Sequence, residues 1–190
     1  MTTTGAAPGM VRALALASSG GVAAHFECMI LSGRGRLIVT GNLVGDARDS
    51  AQVALSLARS RAKRLGIDPA DFLRTDVHFH VVESLPTKGG PSAGLPLFVA
   101  LVSAMIRRPV EPECAFTGEV SLSGKIHAVG GFAEKAEAAL QAGLKRVYGP
   151  LENVAEVSEW AKASAGKIEL IPVEDVDQLL GLLFPKKTAP

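Results

Sequence analysis

The chain has few of the residues that characterise disulfide-rich, metal-binding or nucleic-acid-binding proteins. Its 190 residues include only two cysteines, Cys28 and Cys114, too few and too far apart for a disulfide framework or a cysteine-rich metal site. Aromatic residues make up 5%, and the formal net charge is +1, from 20 Lys and Arg against 19 Asp and Glu. We therefore expect no nucleic-acid partner and no basic surface for an anionic membrane.

Long hydrophobic runs are also missing. The N-terminus has no basic region followed by an apolar core, and no uncharged run approaches the roughly 20 residues that a membrane span needs. We therefore expect no membrane association, and a cytoplasmic location. The hydrophobic fraction of 47% suffices for one well-packed domain, which we place at residues 10–184. Residues 1–9 are predicted to be a flexible leader and residues 185–190 a flexible tail.

Hydrophobic periodicity predicts a mixed α/β (α+β) fold. Residues 10–40 contain three short strand-like runs separated by glycine-containing turns, which predicts an N-terminal β-meander. Apolar residues then recur every three or four positions, which indicates an amphipathic helix ending near Gly66. A strand at 76–82 follows. The rest of the chain alternates between the two states, as is typical of β-α-β units, with strands at 115–122, 125–129, 145–148 and 167–171 and helices at 93–106, 132–142, 153–163 and 176–184.

A glycine-rich turn at residues 87–94, Thr-Lys-Gly-Gly-Pro-Ser-Ala-Gly, leads into the apolar helix. Pro91 suits the first helical position, which places Ser92 in the first turn. There, the unsatisfied backbone N–H groups and the positive end of the helix dipole would stabilise an oxyanion beside the hydroxyl. The same pattern is compatible with an ordinary helix cap, so the motif alone does not assign a nucleophile.

A second glycine-containing helix start, Gly130-Gly131-Phe132-Ala133-Glu134-Lys135, carries a lysine one turn into an alanine-rich helix. Burial and the positive helix end would both disfavour the ammonium form of Lys135, which would make its amine a usable base. Thr117 could hold that amine. The alternative is that this threonine is there only because threonine favours strands. Oxyanion donors would come from the Ser92 N–H and the loop at 88–90. A lysine pointing to solvent is the alternative.

Two other arrangements use the strand before Ser92. His78 and His80 share one strand face and could supply two metal ligands, but no third ligand with suitable spacing lies near them in the sequence. We therefore favour packing or hydrogen bonding for them. Asp76 lies on the same face and could complete a Ser-His-Asp triad, although the sequence has no Gly-x-Ser-x-Gly elbow. It also has no phosphate-binding loop, so we expect no ATP hydrolysis by these residues.

Taken together, these motifs resemble the proteolytic domain of the Lon family of ATP-dependent proteases over roughly residues 10–184. They occur in the family's order, and the separation of Ser92 and Lys135, 135 − 92 = 43, is similar to that of the family's serine-lysine pair. One position departs from the family pattern, because Gly89 stands where many relatives have an aspartate. The motifs are Thr40-Gly41-Asn42-Leu43, Gly90-Pro91-Ser92-Ala93-Gly94, Thr117-Gly118-Glu119-Val120 and Gly130-Gly131-Phe132-Ala133-Glu134-Lys135.

The resemblance implies a serine endopeptidase with Ser92 as nucleophile, Lys135 as general base and Thr117 holding the lysine amine. It implies supporting positions at Gly90 and Glu119, and it matches His78 and His80 to a family His-x-His strand that leads to the serine loop. It also implies a homo-hexameric ring that degrades unfolded or damaged polypeptides, with ATP and Mg²⁺ used only by an AAA+ module outside these residues, in cis or in trans. The alternative is a ring-forming scaffold on a non-proteolytic AAA+ protein.

Overall fold

The computed structural model describes residues 6–41, 43–83, 90–164 and 166–185. The first five residues of the predicted leader and the predicted tail from 186 onward lie outside the described residues. Gly9, at the end of the predicted leader, is buried, and its N–H donates to the Ser103 hydroxyl at 3.0 Å. Gly9, one residue before the first strand, is therefore packed against the rest of the domain.

Within the described residues, seven strands form one sheet in the order β3-β4-β2-β1-β5-β8-β9, and two short strands form a separate hairpin. The pairs β1-β2 and β2-β4 are antiparallel, and the other pairs of the large sheet are parallel. This confirms the mixed α/β class. The strands are β1 (Met10–Ala17), β2 (Gly20–Ser32), β3 (Leu37–Thr40), β4 (Thr75–Val81), β5 (Cys114–Phe116), β6 (Glu119–Val120), β7 (Ile126–His127), β8 (Arg146–Pro150) and β9 (Glu169–Val173).

Helices cover both faces of the large sheet. Ala13 and Leu14 are consecutive in β1 and point to opposite faces, and they belong to two different apolar clusters. The Ala13 cluster contains most of the buried residues of α1 and α3, whereas the Leu14 cluster contains Phe132 and Ala139 of α4. The helices are α1 (Asp46–Leu65), α2 (Asp71–Arg74), α3 (Gly94–Ile106), α4 (Phe132–Gln141), α5 (Leu151–Glu156), α6 (Ser158–Ala163) and α7 (Val176–Leu183), with a 3-10 turn at Pro91–Ala93.

Glycines end the helices where the sequence predicts. Gly66 and Gly143 have φ angles of 72° and 74°, in the left-handed region that side chains disfavour and that closes a helix. The Gly66 N–H donates to the Lys63 carbonyl, and the Gly143 N–H donates to the Leu140 carbonyl. Both predicted ends are confirmed. None of the described helices is long and apolar enough to cross a lipid bilayer.

The predicted β-meander is correct for β1 and β2 but wrong for β3. β3 pairs in parallel with β4, which lies between β3 and β2. Asp76 of β4 supports this placement, because its carboxylate binds the turn between β2 and β3. Its Oδ1 accepts the N–H groups of Arg34 and Arg36 at 2.8 and 2.9 Å, and its Oδ2 accepts from the Arg36 guanidinium. A contact across 40 residues of sequence therefore helps to hold β3 beside β4.

The second half of the chain differs from its predicted elements in two places. The strand predicted at 115–122 divides into β5 and β6, because the Thr117 N–H still pairs with the Tyr148 carbonyl whereas the Gly118 N–H turns to the Ser92 carbonyl. The helix predicted at 153–163 is divided at Val157 into α5 and α6. The remaining order of strands and helices is as predicted, with β8 and β9 paired in parallel.

The buried carboxylate of Asp76 gives a prediction for stability at acid pH. Hydrogen bonds from Arg34 and Arg36 lower the pKa of Asp76 from its ordinary 3.8 to about 2. Because the folded-state pKa lies below the unfolded one, the carboxylate stabilises the fold above pH ~4 and loses this effect as the pH falls through about 2. We expect Asp76→Ala to lower the melting temperature by several degrees at pH 7, and by much less at pH 2.

Melting curves of Asp76→Ala and of Asp68→Ala across this pH range test that prediction. Asp68 is a suitable control because its side chain is 60% exposed, with an ion pair to the exposed Arg74 and a hydrogen bond from the nearby Ala70 N–H. Equal melting temperatures for the two variants at pH 7 would contradict the role given to Asp76.

Candidate active site

Ser92 lies in a 3-10 turn that leads directly into α3. Gly90 precedes this turn in an extended conformation, with φ −91° and ψ 166°, and Pro91 takes the first helical position, as the sequence predicts. The Ser92 carbonyl accepts the Gly118 N–H at 3.2 Å, and the Leu95 N–H donates to the Gly118 carbonyl at 3.0 Å. These two backbone bonds fix the start of α3 against the segment that follows β5.

Lys135 lies in the first turn of α4, and its residue is only 2% exposed. Burial lowers the pKa of Lys135 from 10.5 to about 8, although the neighbouring Glu134 carboxylate opposes this shift. An amine with this pKa is partly uncharged near neutral pH and can accept a proton. The predicted burial of the lysine is therefore present in the fold.

Ser92 and Lys135 line the same cleft, which has a volume of about 580 Å³. β1 contributes residues 13–17 to its wall, Ser18 follows from the next turn, and Gly90 lies near Ser92 in the lining. Among the described lining residues, Lys135 is the only charged one, and most of the others are alanine, leucine, valine or glycine. The cleft therefore combines a hydroxyl and a buried amine in apolar surroundings.

Thr117 lies between β5 and β6, adjacent to Gly118, and is fully buried. Its Oγ1 has no hydrogen-bond partner among the described residues. A buried hydroxyl without a partner is uncommon, because an unmade hydrogen bond costs free energy. α4 packs next to this region, since Phe132 and Ala139 share an apolar cluster with Ala115 of β5.

A glycine allows the β1-β2 hairpin to pack tightly against the start of α4. A Cβ atom at Gly21 would lie 2.0 Å from the Glu134 carbonyl oxygen and 2.9 Å from the Lys135 backbone nitrogen. Any side chain at this position must therefore displace the first turn of α4 or the hairpin. Sequence reasoning did not identify this contact, because Gly21 reads only as a turn residue.

We expect Gly21→Ala to lower catalytic activity about tenfold or more, because a displacement near 1 Å of a catalytic group can cost about a hundredfold in rate. Gly181→Ala is the matched control, since a Cβ at Gly181 meets no atom within 4 Å. Hydrolysis of a fluorogenic peptide by both variants measures the difference. Equal activities would show that the close approach does not position Lys135.

Other residues predicted for the site lie elsewhere. His78 and His80 line a different cavity, of about 920 Å³, and both contact the Thr40 hydroxyl, through Nε2 at 2.9 Å and Nδ1 at 2.8 Å respectively. Glu119 is exposed on β6, opposite His127. Lys88 and Gly89, the other predicted oxyanion-loop residues, lie outside the described residues.

The two alternative arrangements gain no support from these positions. Both carboxylate oxygens of Asp76 are occupied by Arg34 and Arg36, and His78 contacts Thr40 in a cavity that does not include Ser92. No group of three His, Cys, Asp or Glu residues in the described part of the chain is placed to hold a metal ion.

Comparison with known proteins gives one consistent family. The family model described as Lon protease (S16) C-terminal proteolytic domain matches residues 2–186. Lon protease of Xanthomonas oryzae pv. oryzae is 39% identical over 183 residues, which cover 96% of this chain and 21% of that protein. Lon protease of Methylocella silvestris is 42% identical over 177 residues, covering 93% of this chain and 22% of that protein. The chain spans about a fifth of the length of the curated relatives it matches.

Proposed function

We propose that this chain, which belongs to the Lon protease (S16) C-terminal proteolytic domain family, is a serine endopeptidase domain that cleaves polypeptides through a dyad of Ser92 and Lys135. The observation that carries this proposal is that Ser92 and Lys135 line one apolar cleft while the lysine is 2% exposed, with a pKa of about 8. A serine needs an adjacent base to become a strong nucleophile, and a desolvated lysine is such a base.

In the acylation step, the neutral amine of Lys135 accepts the proton of the Ser92 hydroxyl while Oγ attacks the scissile carbonyl carbon. The tetrahedral intermediate then collapses, and its C–N bond breaks as the Lys135 ammonium returns the proton to the leaving amine. In deacylation, Lys135 takes a proton from water as the water attacks the ester carbonyl. The acid is released, and the ammonium returns its proton to Ser92.

Thr117 and the start of α3 would complete the machinery. The buried Oγ1 of Thr117 is without a partner among the described residues, so we assign it to the Lys135 amine, which needs an acceptor to be held in one orientation. The backbone N–H of Ser92, at the positive end of a helix, is suited to donate to the oxyanion of the intermediate. Gly90 allows a substrate backbone to approach this N–H closely.

The composition of the cleft supports unfolded polypeptide as substrate. Its described lining offers alanine, leucine and valine side chains and one cation, so the favourable contacts are with apolar substrate side chains. In folded proteins such side chains are mostly buried, whereas unfolded or damaged chains expose them. Unfolding would require work from outside these residues, because the sequence has no phosphate-binding loop.

We propose that an AAA+ module, in cis or in trans, performs that unfolding and that the domain works in a homo-hexameric ring. Support comes from the family membership and from relatives about five times longer than the part they share with this chain. In such an assembly, ATP and Mg²⁺ act at the partner module and not in the cleft of Ser92.

Digestion of fluorescently labelled casein tests the proposed activity. We expect cleavage by the wild-type chain and none by Ser92→Ala or Lys135→Ala at equal protein concentration. Equal rates for the wild type and both variants would contradict the dyad. Absence of cleavage by the wild type, both alone and with an AAA+ partner, would favour a ring-forming scaffold instead.

A further inference from the structure

A cluster of three polar side chains connects strands β1 and β2 to the chain that leaves β4. Arg12 of β1 and His25 of β2 are directly opposite each other, and Glu83 follows β4 by two residues. The Arg12 guanidinium donates to His25 Nε2 at 3.0 Å, and His25 Nδ1 bonds to Glu83 Oε1 at 2.5 Å. These residues do not line the cleft of Ser92.

Glu83 continues the pairing of β2 with β4 beyond the last strand residue. The strand register ends with Phe26 opposite Val81, and the Val82 N–H still donates to the His25 carbonyl at 3.1 Å. The backbone N–H of His25 donates instead to the side chain of Glu83, to Oε2 at 2.7 Å. The carboxylate thus supplies the acceptor that a further strand residue would have supplied, so the end of β4 is fixed by a side chain.

The partners of His25 determine where its proton lies. Arginine has only donors, so His25 Nε2 must accept, and the ring proton therefore lies on Nδ1, facing Glu83. Burial raises the pKa of Glu83, but hydrogen bonds from the side chain and the backbone of His25 outweigh it, so the pKa lies below its usual range. Glu83 is therefore a carboxylate that accepts two hydrogen bonds from one residue.

We propose that Glu83, held by His25 and Arg12, is a positioning residue for Ser92. It fixes the point from which the chain leaves the sheet nine residues before the nucleophile, while Gly118 fixes Ser92 from the other side. The inference rests on the proposed function, since it gives Ser92 the role of nucleophile. Glu83, at one end of the connection, is held by hydrogen bonds to β2. Ser92, at the other end, is held by a hydrogen bond to the segment between β5 and β6.

Replacing Glu83 by alanine should lower kcat for a fluorogenic peptide about tenfold or more, since small displacements of a nucleophile cost large factors in rate. KM should change less than threefold, roughly, because Glu83 does not line the cleft. The side chains of His25 and Glu83 are 38% and 36% exposed, and such pairs contribute little to stability. The melting temperature should therefore stay near that of the wild type.

Two variants of His25 separate the hydrogen bond to Glu83 from the one to Arg12. His25→Asn places an amide N–H near the position of Nδ1 and can keep the bond to Glu83, whereas His25→Gln reaches the position of Nε2 and can keep only the bond to Arg12. We expect His25→Asn to retain most of the wild-type kcat. His25→Gln should lose a clearly larger part of it, although less than Glu83→Ala, because the backbone N–H of residue 25 still donates to Glu83.

The matched control is Glu111→Ala, which removes a carboxylate paired with Arg146 outside the cleft and should leave kcat within about twofold of the wild type. A kcat within twofold of the wild type for Glu83→Ala would overturn the inference, as would equal kcat values for the two His25 variants. If Glu83→Ala does not fold, the His25 pair decides alone. Ser92→Ala in the same assay isolates the proposed function, because activity remaining in that variant would refute the nucleophile itself.

Discussion

Ser92→Ala should lower kcat/KM for casein and for peptide substrates by a factor on the order of 10³ or more. The alanine variant keeps the 3-10 turn and the apolar cleft but has no atom that can form the acyl-enzyme, and losses of this size follow removal of a catalytic nucleophile. The turn is held through main-chain atoms, since the Ser92 carbonyl accepts the Gly118 N–H and the Pro91 carbonyl accepts from the Ser50 hydroxyl, so the melting temperature should stay within a few degrees of the wild type. Hydrolysis rates and melting curves measure the two quantities on the same preparations.

Ser60→Ala is a suitable control, because Ser60 lies on α1 with its hydroxyl bonded to the Leu57 carbonyl, away from the cleft. That variant should retain wild-type rates. Hydrolysis by Ser92→Ala at more than about a tenth of the wild-type rate would exclude Ser92 as the nucleophile.

The value of kcat/KM should rise with pH through about pH 8 and level off at higher pH. The base must be uncharged to accept a proton, and the pKa of Lys135 is lowered by burial to about 8. Below that value the neutral fraction falls roughly tenfold for each pH unit, and the rate should fall with it. A flat profile between pH 6 and 9 would contradict a lysine base.

Substitutions of Lys135 should all abolish activity but change the stability of the fold in opposite directions. Because the folded-state pKa of about 8 lies below the unfolded value of ~10.4, the buried ammonium destabilises the fold below pH 8 and ceases to do so above ~10.4. Lys135→Met should therefore be inactive but more stable than the wild type at pH 7, with the difference shrinking as the pH rises from about 8 to ~10.4. Lys135→Arg should be inactive and less stable, since the guanidinium stays charged in the cleft.

A large part of the fold can be predicted from local sequence. Gly66 and Gly143 end helices for a steric reason that needs no tertiary context, and Pro91 begins one because its φ is already suitable. The two glycine-containing helix starts also identify Ser92 and Lys135 as candidates, since both place a side chain beside the positive end of a helix.

What could not be predicted depends on contacts between distant parts of the chain. β3 pairs with β4, where Asp76 also binds a turn 40 residues away, and the predicted strand at 115–122 breaks because Gly118 bonds to Ser92. The bond between His25 and Glu83 spans 58 residues and leaves no periodic pattern in the sequence. Such contacts become visible only when the sheet order is known.

The most direct test of the serine-lysine account is an NMR titration of the Lys135 amine in protein labelled with ¹³C at lysine Cε, assigned by comparison with Lys135→Arg. We expect the Lys135 resonance to titrate with a pKa of about 8, while the exposed lysines titrate near ~10.4. In Ser92→Ala the Lys135 pKa should remain well below 10, because burial is its main cause. A Lys135 pKa near 10.4 in the wild type would mean that the amine is charged at neutral pH, and the proposed base would be wrong.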